Sequence, residues 1–151
     1  MIKEKYLGTY MKTARLFAEH SSAVRKKVGA VIVKDDRIIS IGYNGMPSGW
    51  DNTCEEEVIV AEVDGNPGRV IRELKTKPEV IHAESNAIAK LAKSTESGNG
   101  ASMFITCAPC VECAKMIYQS GIKEVFYEEE YRSNDGIDFL NKCGLSIRQI
   151  K

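Results

Sequence analysis

His82-Ala83-Glu84-Ser85-Asn86-Ala87-Ile88, then Ser102-Met103-Phe104-Ile105-Thr106-Cys107, then Pro109-Cys110-Val111-Glu112-Cys113 form the stretch whose reading decides the fold. From His82 to Ala92, the positions Ala83, Asn86, Ala87, Ala89, Lys90 and Leu91 suit a helix, and Ser94 to Gly100 is a polar connection ending in Gly-Asn-Gly. Ser102 to Cys107 reads as a strand. Pro109 stands where a helix begins, Val111 to Ser120 keeps helical spacing, and Gly121 supplies its stop. Glu124 to Glu128 returns to strand. Strands alternating with helices require crossover connections, and these lay the strands side by side in parallel.

Working outward, Leu7, Tyr10, Met11, Ala14, Phe17 and Ala18 recur at three- and four-residue steps and predict an amphipathic N-terminal helix from Tyr6 to Ala18. Val28 to Val33 is a continuous β-branched run, Lys34-Asp35-Asp36-Arg37 is turn-like, and Ile38 to Ile41 resumes apolar, so two strands joined as a hairpin follow. At the C-terminal end, Gly136 to Lys142 supplies a last helix and Leu145 to Ile150 a last strand. The expected class is α/β: one domain, residues 1–151, built as a three-layer α-β-α sandwich around a mixed five-stranded sheet. Residues 46–80 are the variable part. They belong to a Gly- and Pro-rich segment that holds the only Trp, and they are expected to form a long loop or a loop carrying short helices.

The 151 residues carry 21 Lys+Arg against 21 Asp+Glu, so the formal net charge is zero with neutral histidines. That balance gives no whole-chain polycationic field, and the reading is a small substrate or a protein partner, with no nucleic acid. No apolar run approaches the roughly 20 residues of a membrane span, and the N-terminus is charged, so the expectation is a cytoplasmic protein without membrane contact. Five cysteines make an odd number for a disulfide framework and point instead to metal ligands, nucleophiles or core residues.

Two helix starts supply the chemistry. Cys110-x-x-Cys113 puts two sulfurs on one helical turn, and His82 brings an imidazole from a second helix, so the three converge on a single Zn²⁺ with one tetrahedral position open. A water in that position has its pKa lowered toward about 7. Glu84, two residues from His82, is placed to carry protons to and from that water. A Cys-x-x-Cys alone equally suits a structural zinc knuckle or a redox pair; His-x-Glu at one helix start with Pro-Cys-x-x-Cys at the next is the catalytic pattern.

That combined pattern resembles the cytidine/deoxycytidylate deaminase superfamily, whose signature it matches. The similarity also rests on Lys27-Val28-Gly29-Ala30-Val31-Ile32, Gly42-Tyr43-Asn44-Gly45-Met46-Pro47 and Gln119-Ser120-Gly121-Ile122-Lys123, in the family's order. The resemblance implies a cytidine deaminase-like fold and hydrolytic conversion of dCMP to dUMP and ammonia, which feeds dTMP synthesis. It implies His82, Cys110 and Cys113 as zinc ligands and Glu84 as proton shuttle. The amide of Ala83 would bind the pyrimidine O2, Asn44 the sugar 3′-hydroxyl, and Arg25 the 5′-phosphate, with Ser21, Ser22 or Lys26 as helpers. Tyr131 would close over the nucleotide. Enzymes of this kind are commonly homohexamers, activated by dCTP and inhibited by dTTP with Mg²⁺ on the triphosphate; the Gly42 to Asp51 loop, with Gly42, Tyr43, Gly45 and Asp51, is where that second site is expected. Rival readings are deamination of cytidine, guanine or tRNA adenosine, or a zinc-stabilised module without turnover. Cys54 alone in the insert speaks against a second zinc, Cys107 and Cys143 read as core residues, and His20 as a surface residue at a helix end.

Overall fold

The computed structural model describes residues 2–151. Along the chain, the elements are α1 (Glu4–Ala18), β1 (Gly29–Lys34), β2 (Arg37–Tyr43), β3 (Glu55–Val63), β4 (Asn66–Thr76), α2 (Ala83–Ala92), β5 (Ser102–Cys107), α3 (Val111–Gln119), β6 (Glu124–Glu129), α4 (Asp135–Lys142) and β7 (Ser146–Gln149). Five strands form one sheet in the order β2-β1-β5-β6-β7. β1 pairs antiparallel with both β2 and β5, whereas β5 with β6 and β6 with β7 are parallel, as the helices between them require.

β1 shows why the sheet is buried on both sides. Ala30 and Ile32 enter one core cluster, Val31 and Val33 the other, because successive side chains of a strand point to opposite faces. On one face, α1 buries Leu7, Met11 and Ala14 against Val31, Val33, Phe104 and Phe126, with the last two rings stacked at 4.8 Å. On the other, α2, α3 and α4 bring Ala87, Leu91, Ala114, Ile117 and Leu140 onto Ile32, Met103, Ile105 and Val125. The expected three-layer sandwich with a mixed five-stranded sheet is the observed one. Small residues let α2 lie close on β2: a Cβ built at Gly42 would collide with the carbonyl of Ala83 and stand 2.7 Å from the nitrogen of Ala87. No helix among the described residues is long and apolar enough to cross a membrane.

Residues 46–80 depart from the expectation of a loop or short helices. β3 and β4 form a separate two-stranded antiparallel sheet, turned at Asp64 and Gly65 with φ of 54° and 65°. Two consecutive left-handed residues are the backbone of a tight hairpin turn, and Asp-Gly supplies them at low cost. The consecutive Val58-Ile59-Val60 hides the strand alternation, since a bulge falls between Ile59 and Ala61. Lys77 N donates to Cys54 O at 2.8 Å and closes the base of the hairpin.

Candidate active site

His82 and Cys110 are the N-cap residues of α2 and α3. Each has extended backbone (ψ 154° and 167°) and stands at the start of its helix, and the two side chains face a common point. His82 Nδ1 lies 3.3 Å from the Cys113 sulfur and 3.6 Å from the Cys110 sulfur. The three ligand atoms fall within 4.8 Å of one another, the one such group of metal-binding side chains among the described residues. One imidazole nitrogen and two thiols on a half-closed site are a donor set suited to zinc, with a fourth position left for a small molecule.

Electrostatics at the cluster favour ligation. Cys110 is held down to about 4, because it accepts hydrogen bonds from the Cys113 side chain, from His82 and from the Cys113 backbone N–H. Cys113 is pushed far up, since it donates to Cys110 and is buried. The pair thus presents one formed thiolate and one retained proton, which a bound cation would displace. His82 is raised by its hydrogen bond to Cys110 and by the charge of Glu84. Glu84, 4 % exposed on the first turn of α2, is raised above the ordinary carboxylate range by burial, with His82 and Cys113 opposing the shift. A buried carboxyl beside His82 and Cys113 is a group that can accept and return a proton.

The cluster forms the floor of a cavity of about 500 Å³, a size that suits one nucleotide-scale ligand. His82, Ala83, Glu84 and Cys110 line it from the starts of α2 and α3; Arg25, Lys26 and Asn44 line it from the α1–β1 connection and the residue after β2; Tyr131 and Arg132 line it from beyond β6.

A family profile described as the cytidine and deoxycytidylate deaminase zinc-binding region matches residues 5–129. The chain belongs to that family. It is therefore a deaminase with a zinc-binding region. It is 42 % identical to the human deoxycytidylate deaminase over 150 residues, covering 93 % of this chain and 77 % of the human one. It is 35 % identical to the deoxycytidylate deaminase of Enterobacteria phage T4 over 172 residues, covering 95 % and 89 % of the two chains. The crystal structure of the dCMP deaminase from cyanophage S-TIM5 in complex with dCMP and dUMP superposes with a TM-score of 0.85 at 42 % identity, covering 99 % of this chain and all of that one.

Within this deaminase, the residues singled out from sequence sort by their place relative to the cavity. His82, Ala83, Glu84, Cys110, Arg25, Asn44 and Tyr131 all line the one cavity, and Cys113 sits buried beneath it. Asn44 also ties backbone together, since its Oδ1 accepts from Val28 N at 2.8 Å and its Nδ2 donates to Lys26 O at 2.9 Å. Of the phosphate helpers, Lys26 is engaged by Glu129, 2.8 Å from its Nζ, and the Ser21 hydroxyl accepts from Ala23 N. Gly42, Tyr43, Gly45 and Asp51 lie off the cavity. Gly42 is accounted for by its contact with α2, and Gly45 bridges to Ile81, while Asp51 Oδ1 accepts from Thr53 N at 2.7 Å. Cys107, read as a core residue, is buried and lines the cavity, and Cys54 is buried at the hairpin base.

Sequence reasoning missed the hairpin's contribution. Glu55, Lys75 and Thr76, at the base of β3 and β4, also line the cavity, as does Arg132, whose guanidinium lies 5.4 Å over the Tyr131 ring. Asp64-Gly65 announces a hairpin; nothing local announces where it docks.

Proposed function

We propose that this deaminase converts dCMP and water to dUMP and ammonia, as a step toward dTMP. The observation that carries the reading is the convergence, in one cavity, of the His82-Cys110-Cys113 cluster, a buried Glu84 and Arg25. His82 Nδ1 and the two sulfurs would hold one Zn²⁺, which lowers the pKa of a bound water toward about 7 and so supplies a nucleophile at neutral pH.

The protein's own groups do the rest. Glu84 takes a proton released at the water and passes it to the base as C4 gains the oxygen; it then carries a second proton to the amine, which leaves as ammonia. Its burial raises that carboxyl's affinity for the proton it takes. The Ala83 N–H, on the first turn of α2, is the donor for the pyrimidine O2, and the Cys110 N–H, at the start of α3, donates to the oxygen gained at the reacting carbon. Asn44 serves the sugar 3′-hydroxyl from a side chain already fixed by Val28 and Lys26, and Tyr131 covers the nucleotide. Arg25, for which no ion pair is found among the described residues, offers its planar fork to the 5′-phosphate. That contact makes the substrate a nucleotide rather than a nucleoside.

The same reading places the enzyme in the cytoplasm as a homohexamer, with dCTP activating and dTTP inhibiting through Mg²⁺-bound triphosphate near the Gly42 to Asp51 loop. The primary test is direct. Zinc-loaded protein incubated with dCMP, dCTP and Mg²⁺ should lose the absorbance of dCMP and release one ammonia per dUMP; a zinc-loaded sample that leaves dCMP intact contradicts the proposal.

A further inference from the structure

The connection of residues 21–28 between α1 and β1 has no regular structure, yet it carries Arg25 to the cavity. Its backbone is held by side chains. Asn44 bonds both Lys26 O and Val28 N from one side. From the other, a single oxygen of Glu55 accepts Val24 N at 2.8 Å and Arg25 N at 3.1 Å. Glu55 is the first residue of β3, is 7 % exposed, and enters none of the ion pairs among the described residues. A buried carboxylate without a cation is costly, and two consecutive N–H groups directed at one of its oxygens are what compensates it. The bonds run to the backbone of Arg25 itself, so they fix the direction in which its side chain leaves the chain.

We infer that Glu55 is a positioning residue for substrate phosphate: it locks the Val24-Arg25 backbone so that the Arg25 guanidinium is held toward the cavity. The inference rests on the proposed phosphate role of Arg25. It makes the base of the β3–β4 hairpin part of the nucleotide subsite, although the hairpin lies outside the central sheet. Thr76, opposite Glu55 in the hairpin register, and its neighbour Lys75 reach the same cavity.

Both hydrogen bonds end on one oxygen, so the requirement is an acceptor at the correct reach and not a negative charge. Two conservative variants separate these. Glu55→Asp keeps the charge and withdraws the acceptor by one methylene; Glu55→Gln removes the charge and keeps a carbonyl oxygen at the same reach. Steady-state kinetics of zinc-loaded protein with dCMP, and with deoxycytidine as the substrate lacking phosphate, give the readout. The expected result is a KM for dCMP raised roughly tenfold in Glu55→Asp, the scale of one or two hydrogen bonds, with kcat and the kcat/KM for deoxycytidine within about twofold. Glu55→Gln should stay within about twofold of wild type on all three. A Glu55→Gln loss equal to or larger than the Glu55→Asp loss, or an equal Glu55→Asp loss on both substrates, overturns the inference. Arg25→Ala is measured alongside: if it leaves the KM for dCMP unchanged, the phosphate reading falls and the inference with it; if it raises that KM while Glu55→Asp does not, the inference alone falls.

Discussion

His82 and Cys110 cap helices that pack directly on the central sheet, while Arg25, which lines the same cavity, sits on a connection shaped by Asn44 and Glu55 from outside it. The metal-binding group is fixed by regular structure: its residues stand at the opening turns of α2 and α3, whose buried Ala83, Ala87, Ala114 and Ile117 belong to the core. The Arg25 connection is ordered by a handful of side-chain hydrogen bonds. Under the proposed reading, chemistry and metal binding belong to the part of the fold that regular structure determines, and recognition of the nucleotide's phosphate to the part that individual side chains determine. One substitution in the metal-binding group should therefore abolish function with the fold intact, and one on the Arg25 connection should tune affinity.

The largest effect is expected in the metal-binding group. Cys113→Ala removes a buried donor and should drop zinc content well below one per chain, with turnover of dCMP lost by at least about a hundredfold, the scale at which even outer partners of a metal ligand act. Elemental analysis beside the activity assay checks both; full zinc occupancy with normal turnover would break the division between the two parts.

Arg25→Ala comes next. Loss of charge-assisted hydrogen bonds worth about 1.5–3 kcal/mol should lower kcat/KM for dCMP by roughly 10- to 150-fold, while zinc content and deoxycytidine turnover hold. Equal losses on the two substrates would remove the phosphate from this connection.

Asn44→Ala tests the clamp. It leaves Val28 N and Lys26 O without their partners and should cost about 1–3 kcal/mol of stability with the metal site unaffected, read by denaturant unfolding and zinc titration. The smallest effect belongs to Glu129→Gln. The Lys26–Glu129 pair is 44 % and 63 % exposed at its side chains, so its removal should change stability by about 1 kcal/mol or less, and a larger change would mean that the Arg25 connection is held by charge rather than by hydrogen bonds.

The same division governs what the sequence discloses. The two helix starts are legible because one turn converts Cys110-x-x-Cys113 into adjacent sulfurs and places Glu84 beside His82; local spacing is enough. The five-strand sheet is legible from β-branched runs alternating with helical periods, and Ser102–Cys107 falls where those runs place it. Residues 46–80 are harder to read because Val58-Ile59-Val60 is a continuous run and the bulge breaks alternation; Asp64-Gly65 is the one local signal of the hairpin. Glu55 is invisible for a different reason. Its bonds reach back 31 and 30 residues to Val24 and Arg25, and no periodicity encodes which backbone amides a docked hairpin will meet.

Glu84→Gln tests the central claim most directly. The amide keeps the shape of the side chain and removes no ligand from the metal, but it neither takes nor returns a proton. Zinc content by elemental analysis and dCMP turnover are measured on the same sample. Proton transfer alone contributes about 10²- to 10⁴-fold, so one zinc per chain with turnover reduced at least a hundredfold is the predicted result. One zinc per chain with turnover of dCMP at the wild-type rate would contradict the account.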